Sequence, residues 1–504
     1  SISHEDNPFY QRDDVLSWIF DGLDYWERLQ HRDGSFDQVF PNEHSFGATS
    51  YTLLAMIDTS NILGEKLPRP YRDRLLACAQ RAGNFLLKED ETYAFIGNHL
   101  ALFAVTFHEM WRLTGREAFR RKGEIYIERL LQSQSKEGWF PEYDGADPGY
   151  STQGLYYLTR LARQGYRMLE QAVENLLLNF LVYFVHPDGS LGGTYGSRNT
   201  AIVYPAGLAL LSAGYPQAAA MLQCLCDGYA FGVSPLPKDL DLPNAVRLAG
   251  NFLAGWSALT EENFTPAKDP WPLPWTSDYV WKVFDQAGIV AAGTKSYYCL
   301  VGLHKGGVVC CYDKASRKLA FEDQGYMAKL DGREVTTQVL WKPEIDLGQG
   351  TVRVSQPFFF VKLQAMSLWK HLALVCMGLT VFRWRTAREL FKKLMVRLLI
   401  TGKTPSAARV ERTVQFASQQ VVLEDRLVPP PGKRLLKLKG RLRFSSIHMA
   451  SADYYRPPSF HRDSVEISEV TDKGAAVSCV LSFPITADNS PSIETIQPDK
   501  TGSE

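Results

Sequence analysis

The sequence has no excess charge of either sign: 55 Lys and Arg stand against 55 Asp and Glu over 504 residues. A nucleic-acid binder carries a basic surplus, so no nucleic-acid partner is expected. Cysteine is sparse as well. The eight residues Cys78, Cys224, Cys226, Cys299, Cys310, Cys311, Cys376 and Cys479 are scattered and match no disulfide framework of a small secreted domain. Cys224 and Cys226 are too close for a simple zinc pair, and no second Cys/His pair follows at ligand spacing, so no metal or other cofactor is expected. These thiols read as buried residues of a reducing compartment, which favours the cytoplasm. Long apolar runs are also missing. The longest, near 172–185 and 371–382, fall short of a bilayer span, and the first carries Glu174 and Asn175. No integral membrane segment is expected. Residues 1–10 are polar, and no secretory leader is expected in them.

Apolar material is plentiful, at 45% hydrophobic and 12% aromatic residues, enough for a large core and too much chain for one ordinary domain. From about residue 9 to 262 the pattern is helical. Segments 11–30, 71–87, 100–114, 117–132, 154–169 and 171–185 place apolar residues at helical spacing. Their connecting loops repeat. Asp33-Gly34-Ser35-Phe36 precedes a helix expected near Ser45, Glu137-Gly138-Trp139-Phe140 one near Tyr150, and Asp188-Gly189-Ser190-Leu191 one near Asn199. Gly34 to Gly138 is 104 residues and Gly138 to Gly189 is 51, so a degenerate copy is expected near 84–91 and a further one near 241–245. A period of about 50 residues with two helices each predicts a ring of helical hairpins.

Residues 263–277 hold Pro266, Pro270, Pro272 and Pro274 with Trp271 and Trp275, a linker that packs. Beyond it, β-branched and aromatic segments at 288–292, 297–303, 307–312, 335–340, 351–360 and 371–383 predict strands, with a short helix at 390–399 and more strands to about 483. The expected organisation is therefore an (α/α) toroid over 1–262, a linker over 263–277, an antiparallel β-sandwich over 278–484, and a disordered tail over 485–504.

The repeat phase singles out residues at the start of each inner helix: Asn42, Glu43 and His44; Asn98 and His99; Tyr143, Asp147 and Tyr150; Tyr195, Arg198 and Asn199; Asn244 and Arg247. Polar groups arriving from several repeats at one mouth of a ring form a default site. Each has a plainer reading alone. Asn42, Asn98 and Asn199 suit helix caps, His99 and Tyr150 suit core packing, and Arg198 suits a loop anchor. Trp26, Trp111 and Trp139 suit the core rather than a sugar platform.

Several stretches resemble the heparinase II/III-like polysaccharide lyases and the related oligoalginate lyases. They are Asn98-His99 opening an inner helix, the segment bearing Tyr150, and Tyr195-Gly196-Ser197-Arg198-Asn199-Thr200. Three more are similar to that family's β-domain: Asp285-Gln286-Ala287-Gly288-Ile289, Val301-Gly302-Leu303-His304-Lys305-Gly306-Gly307 and Asp323-Gln324-Gly325-Tyr326. The resemblance spans roughly 30–400 and implies β-elimination on a uronic-acid polysaccharide, with an anionic polysaccharide or oligosaccharide as partner. It implies that Asn98 neutralises the uronate carboxylate with Arg198 assisting, the logic of an oxyanion hole. His99 or a tyrosine then takes the C5 proton, and a tyrosine returns one to the leaving oxygen. Tyr150 is the expected tyrosine; Tyr143, Tyr156 and Tyr157 lie nearby, and a strict alignment puts Gln153 at the family position. His44, Glu43, Tyr143, Tyr195, Asn199, Asn244 and His304 are expected to bind substrate. The family also supplies a β-domain histidine and often a metal held by histidine and aspartate. Here His304 is the only β-domain histidine before His371, and no metal is expected. The family's usual role points to the periplasm, against the cysteines. Two other readings remain. One is a uronate epimerase or a glycoside hydrolase, with Glu43, Glu142 and Asp147 as candidate carboxylates. The other is a non-catalytic polysaccharide-binding protein of glycan synthesis or export.

Overall fold

The computed structural model describes residues 7–261, 267–361, 367–440, 465–467, 477–484 and 492–498. Ten α-helices come first among them: α1 (Asp13–Leu29), α2 (Phe46–Leu63), α3 (Arg69–Lys88), α4 (Gly97–Thr114), α5 (Glu117–Ser133), α6 (Pro148–Arg163), α7 (Glu170–Glu174), α8 (Ala206–Leu211), α9 (Pro216–Ala230) and α10 (Leu242–Glu261). Nine strands follow: β1 (Val280–Phe284), β2 (Ile289–Gly293), β3 (Tyr297–Gly302), β4 (Val308–Asp313), β5 (Lys318–Asp323), β6 (Tyr326–Leu330), β7 (Arg333–Thr336), β8 (Glu344–Gly348) and β9 (Thr351–Phe360). Two helices, α11 (Leu368–Leu379) and α12 (Arg385–Val396), precede β10 (Pro405–Phe416), β11 (Gln420–Val428), β12 (Leu436–Gly440), β13 (Val465–Ile467), β14 (Val477–Pro484) and β15 (Ser492–Pro498). The chain forms two compact units. One comprises Ser1–Ser133, Arg160–Tyr166 and Gln364–Val396; the other comprises Gln134–Thr159, Arg167–Leu363 and Arg397–Glu504.

The first unit is helical. α3 and α5 bury one stripe each, Leu75, Ala79, Ala82 and Leu86 on the former and Phe119, Tyr126 and Leu130 on the latter. α4 differs: every residue from Leu100 to Met110 is buried. A helix buried all round, here including Thr106, His108 and Glu109, is a central element of its unit, and α4 packs on α2 and α5.

The repeat seen in the sequence is a repeat of bonds. In the first unit His31 N donates to Ser35 O and Gly34 N to His31 O; in the second, Ser135 with Trp139 and Gly138, and His186 with Ser190 and Gly189, do the same. The three glycines have φ of +95°, +97° and +83°. A Cβ on Gly34 would lie 2.2 Å from Arg81 O of α3, one on Gly138 2.2 Å from Asn175 O just after α7, and one on Gly189 2.5 Å from Cys224 O of α9. Each turn is thus seated on a following outer helix, where only glycine fits. Gln30 and Gln134 repeat as well, each donating Nε2 to its turn glycine's carbonyl and to the carbonyl of Cys78 or Ala172.

The second unit carries α7–α10 and most of α6, followed by the sheets. β1–β5 form one antiparallel sheet in sequential order, and β13-β12-β6-β7-β9-β10-β11-β14-β15 form the other, with β8 paired to β9. Val290, Tyr297, Cys299, Val301 and Val309 of the first sheet pack on Val352, Val354, Val414 and Leu423 of the second, which makes a sandwich. The other face of the first sheet meets the helical part of this unit. Tyr298 Oη donates to Tyr183 O, and Tyr312 stacks on His186 at 4.4 Å. Cys78, Cys224, Cys226, Cys299, Cys310, Cys311 and Cys376 stand as thiols rather than disulfides.

Several expectations need correction. Residues 371–383, expected as a strand, lie in α11 and the turn after it. The run is apolar on every side, so periodicity could not separate the two forms; Ser367 caps the helix by accepting from Lys370 N. The helix expected near Asn199 begins at Ala206, because Asn199 is left-handed at φ +58° and Pro205 disfavours helix in the residue before it. The loop expected at 84–91 starts only after Lys88. The strand expected over 335–340 ends at Thr336. Part of the tail expected to be disordered is a strand, as β15 pairs with β14 from Val477↔Pro498 to Ser482↔Ser492; the rest of it lies outside the described residues. So does part of the expected linker. Its described part does pack: Leu273 is buried and the Arg317 guanidinium lies 5.7 Å from the Trp275 ring centre.

Candidate active site

Two constellations contain most of the candidate residues, one in each compact unit. In the first unit, α4 begins at Gly97 after the extended residue Ile96, which puts Asn98 and His99 in its first turn. Asn98 is therefore not the helix cap. It is buried, and Tyr51 Oη of α2 donates to its Oδ1 at 3.4 Å. His99 is partly exposed. Its Nδ1 lies 2.9 Å from Glu91 Oε1, and Tyr93 Oη donates to Glu91 Oε2 at 2.5 Å. A carboxylate accepting from Nδ1–H fixes the tautomer and leaves the Nε2 lone pair for a proton. The Tyr51 ring stands edge-on to His99 at 5.8 Å. Gly47 makes room for Glu91, because a Cβ there would lie 3.3 Å from Oε2. Glu91 and Tyr51 carried no sequence signal: Glu91 sits in an irregular loop, and Tyr51 lies on an apolar helix where aromatics read as core.

Glu43 and His44 belong to the same unit but serve their own loop. Glu43 Oε2 accepts from Gln38 N and Val39 N at 2.9 and 2.6 Å. His44 Nδ1 lies 2.8 Å from Asp33, and its ring stacks on His31 at 4.4 Å. Asn42, left-handed at φ +59°, donates Nδ2 to Gly378 O rather than capping a helix.

In the second unit two loops dock around Asp147, which is fully buried. Its Oδ1 accepts from Tyr150 N at 3.0 Å, and its Oδ2 accepts from Arg198 N at 2.8 Å and Thr200 N at 3.4 Å. Burial pushes this carboxyl up, against the pull of those amides. Glycine permits the approach: a Cβ on Gly149 would lie 2.5 Å from Thr200 O. The docking encloses Arg198, only 3% exposed, with its guanidinium 4.4 Å from the Tyr143 ring centre. Among the described residues its Nε has no hydrogen-bond partner. A buried cation is costly unless its charge and its hydrogen bonds are met, and here Nε is not bonded. Next to it Lys305 is also buried and donates Nζ to Asn199 Oδ1 at 2.9 Å. Burial first, then Arg198 and Lys403, pushes Lys305 down to about 7. Lys305 lies inside a motif noted in the sequence, but nothing there marked it as buried.

The remaining candidates fall as follows. Tyr150 is half-buried at the start of α6. Gln153 is buried and hydrogen-bonds the buried Tyr157, whose phenol burial pushes up. Tyr195 is enclosed at 2% exposure with its hydroxyl 2.8 Å from His186 Nε2, so it packs its loop rather than meeting a sugar. Asn244 donates to Asp241 Oδ1 at 2.6 Å and orders the start of α10. His304 packs over Gly288, and burial, then Lys342, lowers it. Among the described residues no group of three or more His, Cys, Asp or Glu could hold a metal ion.

No protein-family model matches the chain, and no curated protein matches it in sequence. Solved structures do. The chain is similar to the chondroitin AC lyase of Streptomyces coelicolor A3 in complex with chondroitin sulphate, with a TM-score of 0.53, 11% identity, and coverage of 84% of this chain and 59% of the other. A mutant of the same lyase matches at a TM-score of 0.45 and 10% identity over 85% and 59% of the two chains. The chain thus spans 59% of the length of that lyase. At this identity the likeness concerns the fold, and it is the polysaccharide-lyase fold: an α/α toroid of helical hairpins followed by antiparallel β-sheets.

Proposed function

We propose that the protein is a polysaccharide lyase that cleaves a uronic-acid-containing polysaccharide by β-elimination. The Glu91–His99 pair beside Asn98 and Tyr51 carries the reading. His99 Nε2 takes the proton from C5 of the uronate. The C5–H electron pair forms the C4–C5 double bond as the C4–O bond breaks. A tyrosine hydroxyl protonates the departing oxygen. Asn98 hydrogen-bonds the carboxylate, whose enediolate character grows in the transition state. Arg198, stacked on Tyr143, receives a carboxylate of the polymer, and Lys305 holds the Asn199 amide in place. The motifs that resemble those of heparinase II/III-like lyases, and the chondroitin sulphate bound to the Streptomyces enzyme, support an anionic polysaccharide as substrate.

A hydrolase needs two opposed carboxylates free to act. Of the three candidate carboxylates, Glu43 and Asp147 are engaged by backbone amides and Glu142 is buried, which disfavours that reading. Tyr51, edge-on to His99, is proposed for the acid, and a variant panel tests it against Tyr150, the tyrosine expected from the sequence. Turnover of a panel of uronate polymers, followed by the ultraviolet absorbance of the unsaturated product, should vanish in His99→Ala. It should fall in Asn98→Ala mainly through kcat. It should vanish in Tyr51→Phe and not in Tyr150→Phe. Full activity in His99→Ala would remove the base from the mechanism.

A further inference from the structure

The helical hairpin α11–α12, inserted between β9 and β10, belongs to neither constellation. One face ties it to the first unit. Phe382 and Phe391 pack on Phe40 with ring centres 4.9 and 5.7 Å away, and a Cβ on Gly378 would lie 2.6 Å from Pro41 O. Arg385 pairs with Glu89 at 2.5 Å. Among the described residues nothing covers the opposite face, which is largely apolar. Leu368 and Leu372 stand one turn apart on α11, and Leu390 and Leu394 one turn apart on α12, all exposed. Trp369 and Trp384 are 77% and 71% exposed. The hairpin is also basic: 367–396 holds six Lys and Arg and one acid, Glu389. Lys370, Arg383 and Lys393 are exposed among the apolar residues.

We propose that this hairpin docks the protein peripherally on an anionic lipid bilayer, with the leucine stripes and both tryptophans at the headgroup–acyl boundary and the cations on lipid headgroups. The charge complementarity selects this occupant. Leucine stripes with tryptophan and flanking Lys/Arg are the composition of an interfacial helix, and each cation near an anionic leaflet adds attraction. A polyanionic glycan would meet the cations but leave the leucines in water. A second copy would set two basic faces against each other in a two-fold contact. Spanning is excluded for these helices: each is 12 residues, roughly 18 Å, against a hydrocarbon core of about 30 Å. Among the described residues no helix is long and apolar enough to cross a membrane.

The full chain is sedimented with vesicles of phosphatidylcholine alone and of phosphatidylcholine mixed with phosphatidylglycerol, while light scattering reports its oligomeric state. A monomer should bind the mixed vesicles and not the neutral ones, with a blue shift of tryptophan fluorescence. The double variant Leu372→Glu with Leu390→Glu should bind at least about tenfold more weakly, with unchanged circular dichroism. Charge reversal at Lys370 and Lys393 should also weaken binding and requires no change in the apolar face. Absence of binding to phosphatidylglycerol vesicles, or binding unaffected by both variants, overturns the proposal. A dimer that the leucine variant dissociates also overturns it and assigns the face to a contact between copies.

Discussion

Arg198 is charged, enclosed and stacked on an aromatic ring, and its Nε is without a partner among the described residues. Such a group lowers stability until an anion compensates it. Arg198→Met should therefore raise the melting temperature of the substrate-free protein while raising KM for an anionic polymer. A lower melting temperature would show that the guanidinium is already compensated. The Glu91–His99 pair gives a second expectation at this scale. Glu91→Gln keeps the size of the side chain but removes the charge that sets the His99 tautomer, so kcat should fall roughly 10²–10⁴-fold with little change in KM. Unchanged kcat would make Glu91 a packing residue. Of the candidates, Asn98 and His99 were legible as the start of an inner helix, and α4 begins at Gly97; Arg198 was expected at the same phase and lies instead in the loop before α8. Glu91, Tyr51 and Lys305 were not legible, because their importance lies in contacts between segments distant in the chain or in burial that no local pattern encodes. Tyr195 misled for the same reason: its phase matched, but His186 and the strand bearing Gly302 close over it.

Among the elements, the turns at Gly34, Gly138 and Gly189 set the spacing of the hairpins. Gly138→Ala would place a Cβ 2.2 Å from Asn175 O at φ +97°, and we expect it to destabilise the second unit by about 2 kcal/mol or more. Denaturant titration checks this; a loss below the resolution of the fit would mean that the turn can shift off its helix. The roughly 50-residue period was readable because three copies keep the glycine their turn requires. The copy before α4 lacks that glycine, and there the loop was placed too early. α11 was misread for a different reason: a short run apolar on every face carries no period, and what determines its state is the surface that covers part of it.

For the molecule as a whole, pH probes the second unit. His186 is fully buried between Ser190 and Tyr195, and burial alone pushes it from 6.5 to about 3. The unfolded chain therefore binds a proton that the folded chain refuses. The stability this contributes is fully present above pH 6.5 and is lost as pH falls towards 3, on the order of 5 kcal/mol in all. Urea midpoints measured across that window should fall with pH, and His186→Gln should flatten the slope; an equal slope in the variant would assign it to the carboxylates. Arg412, buried between Asp323 and Asp425 at 2.7 Å each, is the sandwich's counterpart. Arg412→Met should cost about 3–5 kcal/mol, because it leaves two buried carboxylates without their counter-charge, with Gly325 N and Tyr326 Oη still bonded to them. The hairpin-then-sandwich order was legible from the change of hydrophobic period near residue 278. The division of the chain into two compact units was not, because 364–396 joins the first unit from within the β region.

Elimination and hydrolysis of the same uronate polymer differ by one water. Mass spectrometry of the oligosaccharides released from a uronate polymer should show pieces lighter by one water at their new non-reducing ends, and none when His99 is replaced by Ala. Fragments of full hydrolytic mass, or an uncut polymer held by the protein, would contradict the lyase assignment.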